Sequence, residues 1–361
     1  MKSQRFAPAF ALAALLAHPS AADLDYASMP KVDTHVHLYG SMPAFLRRME
    51  TDGFRVLTIN VNYRDFPPLP QQERDAVALH RAHGDRFAFA ASFDAAGSEA
   101  PGWLAGVERG LDAAFSEGAA AVKIWKDVGM QQRDADGRAV MIDDPRFDPL
   151  LDWLEKRGIP VLGHQGEPRN AWLPLADMTI RGDREYFTEH PQYHMAGRKE
   201  WPSYEEQIAA RDRMLDKHPG LTFVGVHLAS LEWDVDRIAG FLRRYPNASV
   251  DLAARMPHLQ LQASRDREKV RRFFVEFQDR ILYGSDLGRG RGQSDEEYAD
   301  EAHAAWLADW QFLAGSDELH STEFEAPFRG LALPREVLEK VFAGNAGRLF
   351  PTAWTAPAAK P

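Results

Sequence analysis

Short runs rich in Val, Ile, Phe and Ala alternate along this chain with longer amphipathic stretches, and the alternation repeats eight times. Repeated strand-helix units of this kind build a parallel sheet whose faces the helices cover. The strand candidates are residues 31–38, 55–62, 87–93, 119–125, 160–165, 222–228, 249–253 and 280–285. Helix candidates lie between them at 71–83, 103–117, 147–156, 204–217, 235–244 and 266–277, and several end in Gly or just before Pro, as at Glu117-Gly118 and His218-Pro219-Gly220. Eight such units favour a closed α/β barrel, the (β/α)8 TIM type, over an open doubly wound sheet, although periodicity alone does not prove closure.

Two connections exceed what a simple barrel needs, residues 167–202 after strand five and 287–334 after strand eight. Both leave the C-terminal end of a strand, so both are expected to overhang that face as long loops. Trp172, Tyr186, Phe187, Tyr193 and Trp201 in the first, and Tyr298, Trp306, Trp310 and Phe312 in the second, can cover an organic substrate. Their alternative use is to anchor the loops or a homodimer contact.

At 361 residues and 45% hydrophobic content the chain suits one large domain. A formal net charge of -10 argues against a phosphate-backbone binder, so no nucleic-acid partner is expected. Met1 to Ala22 reads as an export signal: Lys2 and Arg5 lead, an apolar run follows from Phe6 to Ala17, and Ser20-Ala21-Ala22 offers small residues for cleavage. The run is too short to span a bilayer. The mature domain is expected at 23–361, periplasmic or secreted, with no membrane insertion after signal removal. Cysteine is absent, which excludes disulfides, thiolate ligands and a cysteine nucleophile.

The chemistry gathers at strand ends. In Val32-Asp33-Thr34-His35-Val36-His37 the two imidazoles are two residues apart and point to one face of a strand, where both can reach one cation. His164 in Val161-Leu162-Gly163-His164 and His227 in Val224-Gly225-Val226-His227 close apolar runs, where a buried histidine must find a partner. Asp286, after Ile281-Leu282-Tyr283-Gly284-Ser285, adds a carboxylate at the last strand that can take a proton from water, or cap the next segment. Arg255 can grip a substrate carboxylate with two parallel hydrogen bonds, or form an ordinary salt bridge. Glu167 can support His164, hold substrate or simply start a loop. Lys126 and Asp127 are expected at the pocket rim. His80, His83, His190, His194, His218, His258, His303 and His320 fall on helices or loops and read as solvated or structural.

His35-Val-His37, His164, His227 and Asp286 in this order, with Ala121-Val-Lys123-Ile-Trp125-Lys126, Tyr283-Gly-Ser-Asp286 and Gly344-Asn-Ala-Gly-Arg348-Leu-Phe350, resemble the amidohydrolase superfamily. Within it the chain is most similar to the amidohydrolase-related branch that includes aminocarboxymuconate semialdehyde decarboxylase and several hydrolases. The resemblance implies that His35, His37, His164 and Asp286 bind a divalent metal, commonly zinc, and that His227 stands beside it as a proton shuttle or charge stabiliser. In two-metal relatives the residue equivalent to His227 binds a second ion, and the lysine equivalent to Lys123 bridges both when carboxylated. Lys123 otherwise contacts substrate or water, or forms an ion pair. The expected activity is hydrolysis of an amide, ester or lactone of a small organic substrate, with Asp286 and His227 catalytic. A metal-dependent decarboxylase of an aromatic or unsaturated acid, with Arg255 holding the carboxylate, needs the same residues. A non-catalytic binding protein is the third reading, and its signature, a missing ligand, is not found.

Overall fold

The computed structural model describes residues 26–290 and 292–355. The export signal expected at Met1–Ala22 and the processing point after it lie outside them. Nine of the eleven strands among the described residues belong to one sheet: β1 (Lys31–His37), β2 (Phe54–Ile59), β3 (Phe87–Ser92), β4 (Ala121–Ile124), β5 (Val161–Gly163), β6 (Phe223–Gly225), β7 (Ala248–Asp251), β8 (Ile281–Leu282) and β9 (Leu287–Gly288). They form one sheet in the order β8-β7-β6-β5-β4-β3-β2-β1-β9, with every neighbouring pair parallel. β8 and β9 are two pieces of one short run, and β9 pairs with β1 while β8 pairs with β7. The sheet therefore closes on itself, and the barrel, not the open sheet, is the architecture.

Closure depends on the break within that run. Asp286 adopts φ 68, a left-handed conformation that Asp tolerates better than most residues. Its backbone N–H donates to the His35 carbonyl at 2.8 Å, and the Thr34 N–H donates to the Tyr283 carbonyl at 3.0 Å. The Asp33 side chain, fully buried, ties the same seam. One carboxylate oxygen accepts from the His35 and Ser285 backbone N–H groups at 3.1 and 3.0 Å, and the other from the Trp306 indole at 2.9 Å.

The strands are nearly continuous buried runs, as a sheet covered on both faces requires. Leu57, Ile59, Ala88, Ala90, Ala121, Leu162, Val224 and Leu282 fill the interior, while Val56, Phe87, Phe89, Val122, Val161 and Ile281 pack outward against helices. β1 begins with Val32 inside and Val36 outside, which needs a change of phase. A register irregularity between Asp33 and Val36 provides it. The extra residue re-aims the strand so that His35 and His37 line the pocket.

Helices Tyr204–Lys217 and Val235–Arg244 have the ends read from sequence, and Leu69–His83, Trp103–Ser116 and Asp148–Lys156 differ by a residue or two. The helix expected at 266–277 starts earlier, at Met256, and runs to Glu276 with a break at Asp266 (φ -151). The first half of the second long connection is not a loop over the pocket: Asp295–Ala314 is a helix, packed on the helix Pro43–Thr51, while the later part reaches the pocket at Glu323. Tyr298, Trp306, Trp310 and Phe312 are therefore core residues, and the expectation that they cover a substrate is corrected. Trp306 stacks on Phe54 with ring centroids 4.2 Å apart. The sequence signal for this helix is Ser294 capping, and capped by, Glu297. No described helix is long and apolar enough to cross a membrane.

Asp127 does not reach the rim. It is buried after β4, accepting from the Val128 N–H at 3.0 Å and the Gln132 amide at 3.1 Å. Burial outweighs these hydrogen bonds and pushes its carboxyl up to about 6. The folded chain thus binds a proton here that the unfolded chain, with a carboxyl near ~3.9, has already released. The associated stability is fully present below about pH 4 and is lost as pH rises through 6. Asp127→Asn should gain on the wild type between pH 4 and pH 7 by on the order of 2 kcal/mol, read by urea unfolding across that range.

Candidate active site

A pocket of about 380 Å³ opens at the C-terminal ends of the strands. His35, His37, Lys123, Lys126, His164, Glu167, His227, Arg255 and Asp286 all line it, so one cavity gathers side chains spread over some 250 positions of sequence. Of the first loop's aromatics Tyr186 and Phe187 line it too, beside Phe66 and Trp125. Trp172 and Trp201 serve as anchors, the former on Tyr204 and the latter under Arg133. The long connections meet over the pocket where the Gly182 N–H donates to the Glu323 carboxylate at 2.7 Å.

Hydrogen bonds set the form of three of the imidazoles, those of His35, His37 and His227. His37 Nδ1 lies 2.8 Å from the Ile59 carbonyl and His227 Nδ1 2.9 Å from the Ala253 carbonyl, acceptors that require the proton on Nδ1. His35 Nδ1 likewise donates to the buried Asp251 carboxylate at 2.7 Å. Each ring is left with an Nε2 to turn toward the pocket. Burial holds the pKa of His35 down, helped by the nearby Lys123 charge, and it holds those of His164 and His227 well below the usual range. Burial pushes Asp286 the other way, but the imidazoles of His227, His35 and His37 outweigh it and hold the carboxyl well below its ordinary value.

Asp286 Oδ1 lies 3.2 Å from His35 Nε2 and 3.2 Å from His37 Nε2. With His35 neutral and Asp286 ionised, lone pairs face each other there, and His35 Nε2 is buried without a hydrogen-bond partner. Such a cluster repels itself unless a cation lies between its members. The nitrogen and oxygen donors fit a divalent transition ion. Donor atoms of His35, His227 and Asp286 lie within 4.8 Å of one another. His164 stands outside that triple: its ring centroid is 4.3 Å from that of His227, and its Nε2 is 3.6 Å from Glu167 and makes no hydrogen bond.

Three cations surround the cluster. Lys123, buried and without a hydrogen-bond partner at Nζ, is lowered by burial to about 8, against the pull of Asp251 and Asp286. Lys126 is committed, donating to Glu167 and, at 2.9 Å, to the Tyr186 hydroxyl. Glu167 is thus an ion-pair partner. Arg255 is 3.8 Å from Asp183 through Nη1, and its Nε is buried and unpartnered.

His227 is delivered by an unusual backbone. β6 stops at Gly225, two residues short of the His227 reached by the strand read from sequence. His227, Leu228, Ala229 and Ser230 then take φ values of 57, 57, 56 and 55, one turn of left-handed helix. At roughly 1–2 kcal/mol per L-residue the turn needs support. Asp251 Oδ1 accepts from the His227 N–H at 2.6 Å, Ser230 Oγ donates to the Gly166 carbonyl at 2.7 Å, and Arg211 donates to the Ala229 carbonyl. A side chain at Gly225 would place its Cβ 2.5 Å from that of Ala229, so only glycine fits beneath the turn.

Sequence reading misses Asp251, which fixes both His35 and the backbone of His227; its one signal is an acid in the apolar run Val250-Asp251-Leu252. His258, expected to be structural, is buried, but its Nε2 lies 3.0 Å from Asp183, a pocket residue.

A closed parallel barrel with histidines and an aspartate at the C-terminal strand ends defines a class of barrel enzymes. Residues 32–352 match the family described as Amidohydrolase, and the chain belongs to it. Among solved structures, an uncharacterized TIM-barrel protein from Bordetella bronchiseptica is similar with a TM-score of 0.54 at 17% identity, covering 91% of this chain and 100% of that one. The 2,6-dihydroxybenzoate decarboxylase from Rhizobium gives 0.51 at 16% identity, covering 90% and 99%. Both likenesses concern the fold. No curated protein matches the chain.

Asp251→Ala removes the acceptor that holds the His35 ring, and should weaken divalent-metal binding at the pocket by about 10–100-fold in equilibrium dialysis. Ala229→Gly should leave stability unchanged or raise it by about 1 kcal/mol in denaturant unfolding, where Ala→Gly within an ordinary helix or strand loses about 0.5–1 kcal/mol.

Proposed function

We propose that this protein is a metal-dependent hydrolase that opens an amide, ester or lactone bond in a small organic anion. The observation that carries the reading is the Asp286 carboxylate oxygen 3.2 Å from both His35 Nε2 and His37 Nε2, in a pocket that also holds the unpartnered Lys123 Nζ. His35, His37, His164 and Asp286 would hold one divalent ion, zinc by preference. Such an ion supplies Lewis acidity, which polarises a carbonyl and makes a water more acidic.

The chain's own groups then divide the work. Asp286 accepts the proton of the attacking water and returns it to the leaving group. His227, whose Nδ1 proton is fixed on the Ala253 carbonyl, turns an Nε2 lone pair to the pocket and relays that proton. The tautomer makes it an acceptor, so among the chain's own groups Lys123 stabilises the negative charge that develops on the carbonyl oxygen. Arg255 orients an anionic group of the substrate, and Phe66, Trp125 and Phe187 enclose its apolar part.

One observation favours a second reading. Lys123 Nζ and Arg255 Nε are both buried and unpartnered, a pair of donors suited to a carboxylate that is itself the leaving group in decarboxylation. Zinc-loaded protein screened on ester, lactone and amide panels should hydrolyse at least one member, and Asp286→Asn should lose about 10²–10⁴-fold of that rate. Full turnover by Asp286→Asn rejects its role. Carbon dioxide released from aromatic acids, with no hydrolysis, selects the second reading.

A further inference from the structure

We propose that a second divalent-cation site lies at the opposite end of the barrel, formed by Asp152, Glu155 and His218. Asp152 and Glu155 sit three residues apart on helix Asp148–Lys156 and so share a face. His218 directly succeeds helix Tyr204–Lys217. These helices lead into the starts of β5 and β6, which places the cluster away from the pocket at the strands' C-terminal ends.

One donor atom from each residue lies within 4.8 Å of the other two. His218 Nδ1 is 2.9 Å from Asp152 Oδ1 and 3.7 Å from Glu155 Oε2. Around a tetrahedral ion with bonds of ~2.0–2.1 Å, donors stand about 3.3 Å apart, a value these separations straddle.

Independently of the acids, His218 itself points to a ligand. Its side chain is only 3% exposed, yet neither ring nitrogen makes a hydrogen bond. Asp152 is near enough for one but out of line. A buried imidazole with both nitrogens unsatisfied carries a desolvation penalty that coordination would remove.

The surrounding groups leave these donors uncommitted. Glu155 Oε1 accepts from the Gly220 N–H at 2.8 Å, which fixes the carboxylate and leaves Oε2 free. Asp148, 3.5 Å from His218 Nε2, is occupied by Lys217, whose Nζ donates to both its oxygens at 2.9 and 3.0 Å. That pair neutralises itself, and Asp152 and Glu155 remain as two uncompensated negative charges. One imidazole with two carboxylates suits a borderline ion of the zinc, cobalt or nickel kind better than calcium or magnesium. Asp152, with 71% of its side chain exposed, gives the ion an open approach. Once bound, the ion ties two successive barrel helices together and stabilises the fold without touching the pocket.

The test uses the full chain dialysed against zinc, with metal content measured for wild type, His218→Ala and Asp152→Asn. Each variant should hold one equivalent fewer than wild type, and zinc should raise its melting temperature less, relative to chelator-treated protein. Crystals soaked in zinc should show an anomalous peak among the three side chains. Equal zinc content and an equal thermal response in all three proteins would overturn the site, as would a soaked crystal in which His218 simply pairs with Asp152. Should His218→Ala fail to fold, Asp152→Asn, altered at an exposed position, decides. The outcome is independent of any turnover at the pocket, because both variants keep every pocket residue.

Discussion

The seam between the first and last strands is the constraint on which the rest depends. The hydrogen bond from the Asp286 backbone to the His35 carbonyl fixes the register of chain segments some 250 residues apart, and the same step sets the Asp286 carboxylate against the imidazoles of His35 and His37. Asp33 reinforces it from within, with both carboxylate oxygens satisfied by groups from β1, the residues before β9 and the helix Asp295–Ala314. Barrel closure and assembly of the polar cluster are therefore one event. A shift of one residue would turn every inward side chain outward.

Burial then determines what the cluster can be. In a low-dielectric pocket the imidazoles of His35, His164 and His227 lose their protons and present lone pairs, and that of His35 does so 3.2 Å from the Asp286 carboxylate. Lys123, held at about 8 by the same desolvation, brings opposite charge close without an ion pair to quench it. Donors for a cation and cations for an anion thus lie side by side, which water would screen and a closed barrel does not.

Much of this is legible from the residues. Eight strand positions, the shared face of His35 and His37, and the convergence of His164, His227 and Asp286 can be read from periodicity and from where parallel strands end. The hidden parts have physical reasons. The helix Asp295–Ala314 reads as loop because its apolar residues do not mark one stripe, although Ser294 and Glu297 announce its start. Asp251 is invisible because its two roles, toward the His35 ring and the His227 backbone, belong to strands adjacent only in three dimensions. The turn at 227–230 cannot be anticipated, since no residue in it is glycine and tertiary contacts alone hold it.

That turn has a stereochemical corollary. Its backbone is the mirror image of an ordinary α-helical turn, so a chain assembled by chemical ligation with a D-amino acid at Ala229 would rest in that residue's own preferred basin. Here inverted chirality should reinforce a fold that it would break almost anywhere else along the barrel.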